Sequence, residues 1–250
     1  FVFHVVVYWE YLIDDAFISL RYARNLAEGT GLVFNAGEVV EGYTNFLWVL
    51  VGAAGVLLPG EPMTYLRAVS LAASAAVLLV VVISCRRRHG GHPEPPSPAL
   101  WLLPLPAFGY WASSGMESMA FAALCLAGMW LRADAADVRA QRCSGAVFLL
   151  AALMRPEGLL WFAACTVVFA ARDRFRDGLW PWPRTLRDAA VFAGGYSVYT
   201  VWRLVYFGGL FPNTFHAKVT GGWGQAGTSM PTVWNWTFNM SNAPNRSAAI

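Results

Sequence analysis

Two adjacent carboxylates, Asp14 and Asp15, stand directly after an apolar run from Phe1 to Ile13. If that run lies in a membrane, the pair sits where hydrocarbon meets water. A charged side chain deep in a bilayer costs roughly 3 kcal/mol or more, so two carboxylates kept at such a boundary mark a site. A carboxylate held ionised at a helix N-terminus can take the proton of an incoming hydroxyl as a new bond forms. Local signals place such a helix over 15–28: Asp14 is a good N-cap, and Gly29 and Gly31 stop it. Ala16, Phe17, Leu20 and Ala23 or Ala27 recur at helical spacing with Arg21 and Arg24 on the flank, the pattern of a helix lying on a membrane surface. Neighbours on a helix point about 100° apart, so the two aspartates cannot face one substrate equally. The plainer role, capping the helix and complementing its dipole, suits one of them.

Other groups of the right chemistry are spread along the chain. Glu41 and Glu117 are the next carboxylates in line for the same task. A lipid phosphate at a membrane surface needs a cation, and Arg155, Arg203 and Lys218 are the candidates. Arginine meets phosphate with a bidentate fork and lysine with a point charge. Against these stand plainer roles: a salt bridge of Arg155 with Glu157, and snorkelling of Arg203 to the interface. His216 could meet phosphate or acceptor, although a lone histidine is more often structural. These residues sit in short polar words: Glu41-Gly42-Tyr43-Thr44-Asn45, Gly115-Met116-Glu117-Ser118, Arg155-Pro156-Glu157, and 210–218, which contains Asn213, His216 and Lys218.

The elements that must position them are apolar helices. The chain is 57% hydrophobic and 13% charged with mean hydropathy +0.44, whereas soluble domains carry about 25% charged residues. This composition is that of an integral membrane protein, an all-α polytopic bundle. No basic cluster interleaves with aromatics, which excludes nucleic acid as a partner. Cys85, Cys125, Cys143 and Cys165 lie in or beside apolar segments without CxxC spacing and read as packed thiols. Nothing in the spacing of the acids points to a metal site, so a divalent-metal requirement stays unassigned.

A full-length span is expected at 63–84, closed by Arg86-Arg87-Arg88-His89. The positive-inside rule puts that triplet in the cytoplasm, which places 14–62 outside as a first loop, with 43–58 a juxtamembrane or re-entrant helix. Segment 98–113 then runs outward, with Pro104 and Pro106 tolerated near its start, and 117–131 returns. The short apolar pieces 143–154 and 158–171 meet at a turn on the outer side. The basic loop 172–187 is cytoplasmic, and 189–207 runs outward again. Every polar word lands on that outer face. The chain opens on Phe-Val-Phe and its first apolar run has about 13 residues, against about 20 for a span. It therefore reads as a fragment truncated at both ends, with 219–250 an unassigned polar segment.

Six words in order, Asp14 to Leu26, Gly31 to Glu38, Glu41 to Trp48, Gly115 to Ser118, Arg155 to Gly158 and Phe211 to Lys218, resemble the actinobacterial terminal arabinofuranosyltransferase group within the GT-C class of membrane glycosyltransferases. The resemblance covers about residues 8–218. It implies a polyprenyl-phosphate-linked arabinofuranose donor, a cell-envelope glycan acceptor, an active face outside the plasma membrane, and Asp14 and Asp15 as the catalytic acids. Residues 1–218 would then be the N-terminal part of the transmembrane catalytic domain. Arg21, Glu41, Tyr43, Asn45, Glu117, Arg155, Glu157, Asn213, His216 and Lys218 would line the substrate site. Ser118 stands where the group's pattern suggests threonine, a change that keeps the hydroxyl. A transporter or flippase of a lipid-linked sugar is the alternative. It calls for acids or broken helices near the bilayer midplane, and the midspan regions are nearly free of acids. A scaffolding membrane protein with a degenerate site is a third reading.

Overall fold

A computed structural model describes residues 1–89, 97–133, 138–178 and 182–209. Among them there is no strand. The chain forms α1 (Val2–Tyr8), α2 (Asp14–Ala27), α3 (Phe46–Val56), α4 (Pro62–His89), α5 (Ala99–Leu102), α6 (Pro106–Ser113), α7 (Ser118–Ala133), α8 (Val138–Met154), α9 (Gly158–Asp177) and α10 (Trp182–Phe207). The helical reading of the sequence holds for every described segment, with differences in length that have local causes.

The first apolar run does not continue as one helix. α1 ends at Tyr8, and the freed carbonyl of Trp9 accepts a hydrogen bond from Arg67, whose guanidinium also lies 4.5 Å from the Trp9 ring centroid. The segment expected at 98–113 is broken into α5 and α6, because Pro106 has no N–H to give and is suited to the first turn of a new helix. α8 begins before its apolar stretch, at Val138, and α9 runs past its own to Asp177, since arginine, alanine and glutamine at these ends are good helix formers.

α7 packs against both α4 and α8, and α8 packs against α9 and α10. Trp48, Leu66, Ala120 and Met154 form a buried cluster where α3, α4, α7 and α8 meet. A buried ion pair, Arg132 with Asp188 at 3.7 Å, and a hydrogen bond from Ser144 to the Gly128 carbonyl at 3.0 Å tie α7, α8 and α10. Among the described residues, Pro62–Arg87 is long and apolar enough to cross a bilayer alone, while α6 and α7 reach that length only together, bent by 108°. Leu79, Val167, Val168, Val198 and Val205 are exposed on α4, α9 and α10. Bare aliphatic surface of this kind marks an interaction face.

Candidate functional site

α2 begins one residue earlier than the sequence suggests. Its N-cap is Ile13, in extended conformation and without a side-chain cap, so Asp14 and Asp15 occupy the first turn and neither caps the helix. Both still complement the dipole. The buried face of α2 is Ala16, Ser19, Tyr22 and Ala23. At 100° per residue Asp15 lies about 50° from the centre of that face and Asp14 about 150° away. Both residues are exposed and neither carboxylate has a hydrogen-bond or ion-pair partner among the described residues. Asp15 therefore stands on the rim of what α2 buries, while Asp14 shares the outward face with Phe17, Ile18 and Arg21.

Beneath Asp15 runs a polar network. The Ser19 hydroxyl, buried one turn on, donates to the Asp15 carbonyl at 3.3 Å. It accepts from the Asn45 amide at 2.9 Å. The same amide nitrogen donates to Glu117 Oε2 at 2.9 Å, and Glu117 Oε1 lies 3.4 Å from Arg155 Nε. Arg155 also approaches Glu157 at 3.8 Å. Glu117 is buried and Arg155 is 37% exposed. A buried carboxylate needs a countercharge and hydrogen bonds, and Glu117 has both. The half-exposed arginine can in turn meet an anion from outside. The reading of Arg155 as a salt-bridge partner of Glu157 is thus met in part, with Glu117 the nearer acid.

The turn between α6 and α7 delivers Glu117. Gly115 has φ +74°, a conformation that side chains disfavour, and an added Cβ would fall 2.8 Å from Met63 Sδ. Its carbonyl accepts from the indole of the fully buried Trp48 at 3.1 Å. Glu117 is thereby fixed opposite Asn45, which precedes α3.

Glu41 and Tyr43 form a second centre. Glu41 Oε2 accepts from Arg203 Nε at 2.7 Å, with 5% and 11% of the two side chains exposed. Burial raises the Glu41 carboxyl above the ordinary glutamate range, and Arg203 works against that rise. Tyr43 is buried beside it, its hydroxyl pushed strongly up by burial and by Tyr199 and Glu41, with no hydrogen-bond partner among the described residues. The Tyr22 hydroxyl accepts from the Gly42 N–H and donates to the Val40 carbonyl, each at 2.9 Å. A Cβ on Gly42 would lie 2.7 Å from that hydroxyl. Arg203, considered as a phosphate ligand, is engaged by Glu41.

Arg21 donates to the Phe34 carbonyl at 2.9 Å and lies over the Phe34 ring, so it braces the loop after α2. Asn213, His216 and Lys218 lie outside the described residues. Among the described residues no three histidine, cysteine or acidic side chains converge as a metal site. Ser19 escaped the sequence reading because a lone serine on a helix face carries no signal until its partner is known.

Asn45, Glu117 and Arg155 come from three separate words, and the fold joins them under the Asp15 carbonyl. The terminal β-(1→2)-arabinofuranosyltransferase of Mycobacterium tuberculosis is 32% identical over 239 residues, 86% of this chain and 36% of that protein. The protein of the same name from Corynebacterium glutamicum is 54% identical over 39 residues, 16% of this chain and 6% of that protein. The chain resembles the terminal arabinofuranosyltransferase group. It spans about a third of the length of the mycobacterial member of that group. No family model and no solved structure matches it.

Proposed function

We propose that this chain is part of a GT-C-type membrane glycosyltransferase, with residues 1–218 belonging to its polytopic transmembrane catalytic domain. In this reading it moves a sugar, arabinofuranose, from a polyprenyl-phosphate donor to a cell-envelope polysaccharide or glycolipid at the outer face of the plasma membrane. The observation that carries it is the network Ser19–Asn45–Glu117–Arg155 beneath the first turn of α2. It ties the backbone of Asp15, whose carboxylate is exposed, through Ser19, Asn45 and Glu117 to an anchored guanidinium beside the apolar helix α4. The names and similarity of the relatives support the sugar and the reaction type.

The acceptor hydroxyl attacks the anomeric carbon of the donor. The new glycosidic C–O bond forms, the bond from that carbon to the phosphate oxygen breaks, and polyprenyl phosphate leaves with the bonding electrons. The hydroxyl proton passes to a carboxylate of the Asp14–Asp15 pair. Asp15 is the better placed of the two, on the rim of the buried face, with Asp14 turned outward. Arg155 meets the donor phosphate, while Glu117 and Asn45 hold the guanidinium in place. Glu157, Asn213, His216 and Lys218 remain substrate contacts in this scheme, while Arg21, Glu41 and the buried Tyr43 support the loop.

The test is transfer of labelled arabinofuranose from a polyprenyl-phosphate donor by the full-length protein and by its Asp14→Ala and Asp15→Ala variants. Transfer that collapses in Asp15→Ala is expected. Undiminished transfer in both variants would remove the catalytic assignment. Among the described residues, the break between α6 and α7, bent by 108°, is a feature that favours a flippase. Transbilayer movement of the lipid-linked sugar without any transfer product would select that reading.

A further inference from the structure

One face of α4 supports both the corner that carries Glu117 and the stretch that leads to the aspartates. Met63, Arg67 and Ser70 recur at helical spacing and share that face. A Cβ on Gly115 would fall 2.8 Å from Met63 Sδ and 3.7 Å from Arg67 Cγ. The Ser70 hydroxyl lies 3.2 Å from the carbonyl oxygens of Trp111 and Met116 and donates between them. The two residues that precede Glu117 thus rest on α4.

Arg67 carries the other load. One terminal nitrogen donates to the Trp9 carbonyl, and the guanidinium carbon lies 4.5 Å from the Trp9 ring centroid. Trp9 stands six residues before Asp15. The chain between them is made of short turns, with the Tyr11 N–H donating to the Tyr8 carbonyl and the Ala16 N–H to that of Ile13, each at 3.0 Å. Such turns leave little slack, so a shift of Trp9 passes to the first turn of α2. Arg67 is 8% exposed, and its Nε is buried without a hydrogen-bond partner. Among the described residues it forms no ion pair, and Glu10, beside Trp9 in the chain, is exposed. A buried guanidinium with an idle donor is a costly way to fill space. Its planar fork can grip a carbonyl and a ring at once, which an aliphatic side chain cannot do.

We propose that Arg67 is a positioning residue of the transfer reaction: by clamping Trp9 to the face of α4 that supports the Glu117 corner, it sets the Asp15 carboxylate relative to Arg155. This role rests on the transferase reading and on Asp15 as the base. Arg67 touches no substrate in it and acts through the register of two chain segments. A misplacement of about 1 Å between reacting groups costs on the order of 10²-fold in rate.

The test is steady-state transfer by the full-length protein, expressed per folded molecule. Arg67→Gln is expected to lower kcat about 10²-fold with KM for the polyprenyl-phosphate donor within about threefold of the unaltered value. Arg67→Lys, which keeps a donor and a cation beside Trp9, should regain at least about tenfold of that loss. In the double variant Arg67→Gln/Asp15→Asn, kcat should equal that of Asp15→Asn alone, because a residue acting through Asp15 has nothing left to act on. Multiplied losses, a raised KM with kcat unchanged, or a loss confined to the folded fraction would overturn the proposal. Should Arg67→Gln fail to fold, Trp9→Leu removes the ring from the same clamp and should lower kcat about tenfold; undiminished kcat there refutes it. Amide hydrogen exchange over 9–19 needs no substrate, and it should be at least about tenfold faster in Arg67→Gln and return toward the unaltered rate in Arg67→Lys. Unchanged exchange overturns the clamp whether or not sugar is transferred. Faster exchange in a protein whose unaltered form transfers nothing supports the clamp and removes the transferase reading.

Discussion

Glu117 with Arg155 and Glu41 with Arg203 are pairs of the same two residue types, and both carboxylates are buried. Their arginines differ. Arg203 is 11% exposed, lies among Tyr43, Tyr196 and Tyr199, and holds its acid at 2.7 Å. Arg155 is 37% exposed and stands 3.4 Å from its acid, which shares itself with an amide. The first pair is sealed and joins the loop after α2 to α10. The second keeps one member facing outward. Burial of the cation thus separates a sealed clasp from a pair open to the surface, where residue type cannot.

That contrast can be broken at several points. The largest effect is expected at the rim of the open network. Asp15→Asn should lower the turnover of sugar transfer about 10³-fold, in the range for loss of a general base, whereas Asp14→Asn should cost less than tenfold. Equal losses would erase the distinction drawn from helix geometry. Glu41→Ala should destabilise the fold by about 3 kcal/mol, measured by denaturation in detergent, because it strands a buried arginine. Activity per folded molecule should fall far less than stability predicts. Glu117→Gln should do the reverse, reducing transfer about 10²-fold with a smaller loss of stability, since the amide keeps the shape and removes the charge that holds Arg155. Arg155→Lys should raise KM for the polyprenyl-phosphate donor about tenfold, as a bidentate fork is replaced by a point charge.

The smallest effect concerns pH. The folded Glu41 carboxyl has a raised pKa, with burial the larger cause, so the native state holds a proton that the unfolded chain has already released. That contribution to stability is fully present below the ordinary glutamate range and is lost as pH rises through the raised value. Unfolding temperature measured across this window should decline with rising pH in the unaltered protein and flatten in Glu41→Gln.

The local features of α2 were readable to within one residue, because Gly29 and Gly31 and the acidic first turn are short-range signals. The cap was not, since Asp14 and Ile13 compete for one position and backbone geometry decides. Asn45, Glu117 and Arg155 each stood out as polar residues in apolar surroundings. Their union was invisible in one dimension, as 72 residues separate Asn45 from Glu117. Glu41 and Arg203 are 162 apart, so the clasp reads as two unrelated charges until α10 folds back. The break in 98–113 was written in Pro104 and Pro106, and membrane tolerance for proline concealed it.

Trp48 lies one turn beyond Asn45 on α3, and its indole is tied to the carbonyl two residues before Glu117. α3 and its N-cap therefore hold the α6–α7 corner by two hydrogen bonds, one to a backbone carbonyl and one to a carboxylate. Any tilt of α3 must strain the indole bond and draw the Asn45 amide from Glu117 in the same stroke. The position of α3 and the grip on Arg155 become a single mechanical variable, and a ligand that shifts one reports on the other.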